Sequence, residues 1–338
     1  MTDPSQRQGV LVKPRPRLSD EQVALVDGAS RDLLQDPGLL CEHAETIDLF
    51  KAAGATVDTA SDGTHVRIPP RLIDEALESA PSRVLLGARN PENRLILDAH
   101  EPRVRFGTGS ETNTWLDVNF ADDGIANFTR EPGSIARLRE AAHLCEHLEH
   151  LDFFIRCLNI QDAGITAENK DVNKFAACLD RITKHVQADL THLPALPDVL
   201  KLGGIVAGGN DAFAREPLLS FIACVIKSPL QVVDDTAEKL FAIARAGVPV
   251  VISSSPMGGT TAPIDEFGMV AQINAELLAG VALHQLAAAG APVLYGTVAV
   301  RCRLDNLNDM YGVAEFNRYN AATAQMARHY GLPCYSTA

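Results

Sequence analysis

The spacing of apolar and polar residues follows two patterns, which meet near residue 100. In the first part, apolar residues recur at helical spacing after Ser19, a candidate helix cap. Further helices are predicted over about 43–53 and 69–77, and short strands over 64–68, 82–87 and 93–98. Short strands with irregular connections predict a mixed α+β extension over 18–101. Residues 1–17 are mostly polar and contain three prolines, which predicts a flexible arm.

From Pro102 onward, short apolar strands alternate with helices, a pattern typical of parallel βαβ units. Seven strands are predicted, over 104–108, 153–157, 185–189, 219–225, 249–254, 292–296 and 333–337. Apolar stripes predict helices over 240–246 and 269–289. Helices are also predicted over about 132–147 and over the alanine-rich segment 319–330. The segment from Trp115 to Phe128 is predicted as a long insert after the first strand.

Both a doubly wound sheet and an eight-stranded barrel show this alternation. The spacing of ~30–45 residues and the lack of a glycine-rich dinucleotide turn after the first strand favour the barrel. The predicted fold is therefore α/β, a (β/α)8 TIM barrel over 102–338 that lacks its last βα unit. An eighth strand is needed to close such a barrel, because the first and seventh strands otherwise have bare edges.

Composition narrows the class of protein. The 338 residues are 46% hydrophobic and carry a net charge of −13, which argues against nucleic acid or an anionic membrane as a partner. No run approaches the ~18 apolar residues of a membrane span, and the N-terminus lacks a secretory signal, so we expect a cytoplasmic protein.

The cysteine pattern bears on metal binding. The seven cysteines include no C-x-x-C motif and are predicted to be reduced thiols. Cys224, Cys302 and Cys334 would suit a metal only if they met at neighbouring strand ends. Because no ligand spacing supports such a site, no metal is predicted.

In a barrel the active site lies where the strands end, so the segments after the strands are the candidates. The segment Ser253–Pro263 is the most unusual, because Gly258 and Gly259 permit close backbone approach and Thr260 is one of five surrounding hydroxyls. It lacks the lysine of a phosphate-binding P-loop. The alternative is an ordinary βα turn in which Ser and Thr cap the next helix.

Three acids are further candidates. Glu276 lies in an otherwise apolar helix, where it serves a site or faces solvent, and Asp189 ends a buried strand, where it serves a site or caps a helix. Glu111 and Trp115 follow the first strand, and an acid beside an aromatic ring suits a cationic amine. The alternative for Trp115 is a hydrophobic plug, and His284 is interpreted as a core histidine.

Three segments carry a family resemblance: Ser254-Ser-Pro-Met-Gly-Gly-Thr-Thr-Ala-Pro-Ile264, Asn274-Ala-Glu276 and Ala291-Pro-Val-Leu-Tyr-Gly296. With them, nearly the whole chain resembles the trimethylamine:corrinoid methyltransferase family. The resemblance implies a (β/α)8 barrel with an N-terminal extension. It also implies removal of a methyl group from an amine, with the Co(I) corrinoid (cobalamin) of a separate carrier protein as acceptor. Methylamine metabolism and methanogenesis are the implied context.

The founding branch of that family carries pyrrolysine after a segment that is similar to Cys334-Tyr-Ser-Thr-Ala338. The resemblance therefore predicts pyrrolysine immediately after Ala338, in a longer protein. On this interpretation the 338-residue chain is inactive and poorly folded by itself. The implied mechanism adds the amine to the pyrrolysine imine and so positions one methyl group for in-line attack by Co(I).

In that mechanism acids stabilise the cationic amine, and the catalytic candidates are Glu276 and then Asp189. The substrate-binding candidates are Glu111, Ser254, Gly258, Gly259, Thr260, Tyr295 and Ser336. A corrinoid carrier protein, a methylamine substrate and a homo-oligomer are expected. One alternative is a methyltransferase without pyrrolysine that acts on a quaternary amine such as glycine betaine. The other is a non-catalytic barrel that binds an amine.

Overall fold

The computed structural model describes residues 7–109 and 111–337, and it is an α/β structure. Within these residues the ten α-helices are α1 Asp20–Gln35, α2 Ala44–Ala52, α3 Pro70–Ser79, α4 Ile135–His147, α5 Ala167–Leu179, α6 Leu196–Ala207, α7 Asn210–Arg215, α8 Asp234–Arg245, α9 Glu266–Ala287 and α10 Ala314–His329.

The strands of the same residues are β1 Val10–Leu11, β2 Leu39–Leu40, β3 Thr56–Ala60, β4 Gly63–Arg67, β5 Arg83–Leu86, β6 Leu95–Asp98, β7 Arg103–Val104, β8 Thr114–Phe120, β9 Ala126–Pro132, β10 Phe153–Ile155, β11 His185–Ala188, β12 Leu219–Ala223, β13 Ile226–Lys227, β14 Gln231–Val232, β15 Val250–Ser254, β16 Met257–Gly258, β17 Val293–Thr297, β18 Val300–Cys302, β19 Asp309–Met310 and β20 Cys334–Ser336.

The chain divides into two compact units. The first unit comprises the described residues up to Val12, with Leu85–Ile96 and Arg103–Phe221. The second unit comprises Lys13–Val84, Leu97–Pro102 and the described residues from Ile222 onward. The predicted domain boundaries at 18–101 and 102–338 stay a prediction. Residues 1–6 of the predicted arm and Ala338, after which pyrrolysine is predicted, lie outside the described residues.

In the first unit, β10, β11 and β12 pair in parallel, as the sequence predicts. Their helix-facing side is apolar: the ring of Phe221 on β12 packs edge-on against Phe175 of α5, with centroids 5.6 Å apart. The buried His185 lies on β11, and burial lowers its pKa to about 4, so this side chain is neutral near pH 7.

The prediction of a strand over 104–108 is wrong. Only Arg103–Val104 is extended there, and it pairs antiparallel with Val10–Leu11. Gly107 makes one isolated parallel bridge to Phe153, and the Phe153 ring fills the space in which a side chain at position 107 would lie. Because glycine weakens a strand and has no side chain to pack, the regular pairing does not extend through this segment.

The predicted insert from Trp115 to Phe128 is a β-hairpin of β8 and β9. Cross-strand pairing places Leu116, Val118 and Phe120 on one face of the hairpin, together with Phe128. All four of these side chains are exposed.

In the second unit, β15, β17 and β20 pair in parallel, which confirms the last three predicted strands. Helix α9 packs against β15 and β17 and also against α1, α2, α3, α8 and α10. A helix that is covered on every side needs apolar residues on every side, which explains why the sequence of α9 shows little amphipathic pattern. Among the described residues α9 alone is long and apolar enough to cross a membrane, and its side chains are mostly buried in the protein.

The predicted elements of the extension are confirmed. Ser19 caps α1 through a capping box with Gln22, and α2, α3, β4, β5 and β6 form at the predicted places. Strand β3, which the sequence analysis missed, pairs with β4. Strand β2 joins β4 to β14, so the extension is hydrogen-bonded to the segment that follows β12.

Candidate functional site

The contact of α9 with β15 decides where Glu276 points. Gly280 lies against β15, because a Cβ there would come within 2.5 Å of Ile252 Cγ2. Glu276 precedes Gly280 by four residues and shares its helix face, and Ser254 follows Ile252 by two residues and shares its strand face. Glu276 therefore meets Ser254, whose hydroxyl donates to its carboxylate at 2.7 Å.

The Glu276 carboxylate has four hydrogen-bond donors, all uncharged, within the described residues. The hydroxyls of Ser254 and Ser228 donate to Oε2, at 2.7 and 2.8 Å. The Gln272 amide at 2.9 Å and the Leu230 N–H at 3.4 Å donate to Oε1. The side chain is 1% exposed, and burial raises its pKa against the opposing effect of these donors. The site therefore holds an acid that no cationic side chain neutralises by hydrogen bonding.

The other predicted residues of the sheet face the same helix layer. Tyr295 on β17 is fully buried and its hydroxyl donates to Asn274 of α9. The Ser336 hydroxyl on β20 donates to Asn320 of α10 at 3.0 Å. The roles of Ser254, Tyr295 and Ser336 in substrate binding stay predictions, and all three side chains bond to helices.

The loop of Gly258, Gly259 and Thr260 is a tight turn on the Met257 carbonyl. That oxygen accepts from the backbone N–H of Thr260 and of Thr261, each at 3.1 Å. Gly259 has φ +99°, which a side chain would strain. The hydroxyls of this loop do not cap α9, because Asp265 does so through the N–H of Gly268 at 2.9 Å. The capping alternative for this loop is thereby wrong.

Asp189 and Glu111 meet through a buried cation in the first unit. Nη2 of Arg156, a side chain only 4% exposed, donates to both carboxylates. Lys174 Nζ lies 2.9 Å from Asp189 and 2.7 Å from Asp171, and its side chain is fully buried. Asp189 and Glu111 are each more than a third exposed, so two buried cations hold two accessible acids.

Opposing effects act on the pKa of Asp189. Burial raises it, but the charges of Lys174 and Arg156 outweigh burial and hold the pKa at about 2. Asp189 is therefore ionised at neutral pH, and its charge is compensated. It does not cap a helix, because the backbone N–H groups of Thr191 and His192 are bonded to Asp171 instead.

Trp115 already has a cation on its ring. The Arg137 guanidinium lies 5.3 Å from the ring centroid, and Arg137 is also paired with Asp117 and Glu131. Glu111 is bonded to Arg156. The predicted binding of an amine between Glu111 and Trp115 stays a prediction. Arg137 already occupies one face of the Trp115 ring, so an amine would have to use the other face.

His284 is a core residue, as interpreted from the sequence. It is fully buried, bonded through Nδ1 to Gln285, and burial lowers its pKa to about 4. All seven cysteines are free thiols. Within residues 7–109 and 111–337, no three His, Cys, Asp or Glu side chains are placed to hold a metal ion, and this includes Cys224, Cys302 and Cys334.

Comparison with known proteins decides the family. The sequence profile of the trimethylamine methyltransferase family (MTTB) matches residues 6–338. This chain belongs to that family. The chain is 32% identical to the trimethylamine methyltransferase MttB of Desulfitobacterium hafniense, over 94% of this chain and 61% of that protein.

Two more relatives are similar to this member of the trimethylamine methyltransferase family over nearly its whole length. Identity is 29% with MttB of Methanosarcina barkeri strain Fusaro, over 93% of this chain and 62% of the relative. It is 25% with a glycine betaine methyltransferase of Desulfitobacterium hafniense strain Y51, over 94% and 63%. The chain thus spans about three fifths of the length of these curated relatives.

Sequence reasoning missed several residues of both clusters in this family member. Arg156 is the clearest case, because a cation within the apolar run Phe153–Cys157 needs a buried partner and so marks a polar cluster. Lys174 and Ser228 carry no such signal, since a lysine in a helix and a serine in a loop are normally exposed. Gln272 precedes Glu276 by four residues and was recognisable as its helix neighbour.

Proposed function

We propose that the full-length protein is an enzyme that transfers a methyl group from trimethylamine to a corrinoid carried by a separate protein. The family match over nearly the whole chain supports the reaction class. The observation that carries the proposal is the buried Glu276 carboxylate, whose four donors among residues 7–109 and 111–337 are all uncharged. A cationic amine nearby would favour the ionised form of this carboxylate, which in turn would stabilise positive charge during transfer.

An exposed apolar rim beside the Gly258–Gly259 loop fits a docking partner. Ile264 and Leu304 are exposed, and a Cβ at Gly259 would lie 2.9 Å from Leu304 Cδ2 and 4.0 Å from Ile264 Cδ1. Leu307 and Tyr311, which follow Leu304 along the chain, are exposed as well. An apolar rim around glycine backbone suits the flat face of a corrinoid and its carrier. The corrinoid supplies the methyl acceptor when its carrier is docked.

The finer expectations belong to the same proposal. They are a closed (β/α)8 barrel in the full-length protein, a cytoplasmic location, and pyrrolysine at the position after Ala338. The mass of the tryptic peptide that contains Ala338, taken from full-length protein made in its native host, tests the last of these. A second candidate substrate is a quaternary amine, which the relative named as a glycine betaine methyltransferase favours.

The test is methyl transfer by the full-length protein. Purified protein is mixed with a Co(I) corrinoid carrier and trimethylamine, and the cobalt absorption spectrum is followed. Methyl-Co(III) formation with trimethylamine supports the proposal, and formation only with glycine betaine supports the second candidate. If the spectrum remains that of Co(I) with both amines, the proposed methyl transfer is rejected, and the alternative of a barrel that binds an amine without catalysis is retained.

A further inference from the structure

One face of the sheet in the second unit points away from helices α9 and α10. Ser253, Gly296 and Tyr335 lie in one row, because β15, β17 and β20 pair in parallel with these residues in register. Their neighbours Ser254 and Ser336 bond to α9 and α10. Since side chains alternate along a strand, the row of Ser253, Gly296 and Tyr335 faces away from those helices.

The Tyr335 ring lies across this row. A Cβ at Gly296 would come within 2.7 Å of Tyr335 Cδ1, so the ring covers the glycine. Gly296 has no side chain to lift the ring from the sheet. Tyr335 is partly exposed, which leaves ring surface open for contact.

The thiol of Cys224 and the hydroxyl of Ser253 continue the same surface. Cys224 follows the end of β12 and is exposed, although Ala223 and Val225 beside it are buried. Ser253 is 2% exposed, and its Oγ has no standard hydrogen-bond partner in the described part of the chain. The Cys224 thiol is its neighbour and is only a weak partner. A buried hydroxyl is therefore aimed at an open thiol.

We propose that Cys224, Ser253 and Tyr335 form the contact surface for a methylated ammonium cation. The proposal rests on the proposed function, because it names the residues that receive its substrate. An aromatic face binds methylated ammonium groups through cation–π attraction, and small uncharged side chains leave room for methyl groups. None of these three residues is among the substrate-binding candidates from the sequence. Two of those candidates, Ser254 and Ser336, lie one position along from Ser253 and Tyr335 in the same strands.

Electrostatics favour a cation at this surface. Burial raises the pKa of the Cys224 thiol, the contact with the Ser253 hydroxyl lowers it, and the nearby Glu276 carboxylate raises it, so that the pKa is raised as a whole. The thiol therefore stays protonated and forms part of the wall, not a competing methyl acceptor. The same negative field attracts an ammonium group.

Ligand protection of Cys224 tests the surface. Full-length protein is treated with N-ethylmaleimide with and without trimethylammonium chloride at pH 7, and labelling of each cysteine is followed by peptide mass spectrometry. We expect saturating trimethylammonium to slow Cys224 labelling at least tenfold. The partly exposed Cys157 of the first unit is the internal control and keeps its rate. Tert-butyl alcohol, a neutral molecule of similar shape, gives no protection.

Variants of Tyr335 distinguish the contribution of the aromatic ring from that of side-chain volume. Tyr335→Phe keeps the aromatic face and should bind trimethylammonium within about threefold of the parent, whereas Tyr335→Leu should bind at least about fivefold more weakly. Titration calorimetry on the same proteins measures binding directly, so a slow Cys224 reaction does not prevent the test. Equal labelling with and without trimethylammonium, or equal affinity of the Phe and Leu variants, would overturn the proposal.

The two proposals fail in different ways. Protection of Cys224 without methyl transfer to a corrinoid would retain this surface and reject the proposed function. Methyl transfer without protection, at a trimethylammonium concentration that saturates turnover, would retain the function and reject the surface.

Discussion

At the residue scale, the surroundings of Glu276 constrain it closely. Both carboxylate oxygens accept two hydrogen bonds each, and the side chain is 1% exposed. Serine hydroxyls can turn to accept a hydrogen bond, but the Gln272 Nε2 and the Leu230 N–H can only donate. A replacement that removes Oε1 would therefore leave both of these donors without this acceptor.

Replacement Glu276→Leu tests this arrangement, because it removes both acceptor oxygens. We expect the free energy of unfolding to fall by about 1–3 kcal/mol, because the buried Gln272 and Leu230 donors lose this acceptor. Denaturant unfolding of the full-length protein measures the change. The matched control is Glu238→Leu on α8, a side chain that is 53% exposed, which should change stability by less than about 0.5 kcal/mol. Equal stability of Glu276→Leu and the parent would show that the carboxylate is not needed as acceptor.

Asp189 predicts a pH dependence of stability. Its ordinary pKa of 3.8 falls to about 2 in the folded protein, despite burial, through Lys174 and Arg156. A depressed carboxyl pKa adds stability that is present above pH 3.8 and is lost as pH falls towards about 2. Asp189→Asn should lack this loss between about pH 4 and pH 2, as measured by urea unfolding across that range. Asp122→Asn, in the exposed hairpin turn, should keep the parent profile, and a parallel decline in Asp189→Asn would contradict the assignment.

At the scale of elements, the close contact between α9 and β15 depends on Gly280. Alanine has the better helix propensity by about 1 kcal/mol, but its Cβ at position 280 would lie 2.5 Å from Ile252 Cγ2. Gly280→Ala should therefore lower the free energy of unfolding by about 1–3 kcal/mol through overpacking. Thermal unfolding measures the effect.

Gly28 of α1 is the matched control for this element. A Cβ there would meet no atom within 4 Å, so Gly28→Ala should be neutral or stabilising by up to about 1 kcal/mol. If both replacements shift the melting temperature in the same direction by the same amount, helix propensity alone decides and the packing argument fails.

Sequence periodicity predicted where these elements lie in the chain, but it did not predict which side chains point to which face of the sheet. Six of the seven predicted parallel strands form, because runs of buried apolar residues are typical of such strands. Runs that are apolar on both faces carry no period-two signal, so Ser253 and Ser254 could not be distinguished. Pairing with α9 resolved this: Ser254 meets Glu276, and Ser253 takes the other face.

At the scale of the whole molecule, protection of backbone amides should be uneven. Helix α9 is buried along its length, whereas the apolar face of the β8–β9 hairpin carries exposed Phe120 and Phe128. Amides of α9 should exchange with deuterium at least about 100-fold more slowly than those of the hairpin, because exchange follows local opening. Hydrogen-exchange mass spectrometry of the full-length protein measures both. Comparable rates in α9 and the hairpin would show that they open together.

The sequence by itself determined the element types and the family. Helical spacing, the Ser19 cap and the apolar strands follow from local physics, and the motif around Gly258 and Glu276 carried the family resemblance that the profile match confirmed. These features depend on residues near one another in the chain, so periodicity and short motifs record them.

Tertiary structure alone decided which side chains meet. Arg156 joins Glu111 to Asp189 across 45 and 33 residues of chain, and Ser228 reaches Glu276 across 48. The segment of Ser228 is held by β14, which pairs with β2 of the extension. The physical reason is that charge compensation and burial depend on three-dimensional distance, which no local pattern encodes.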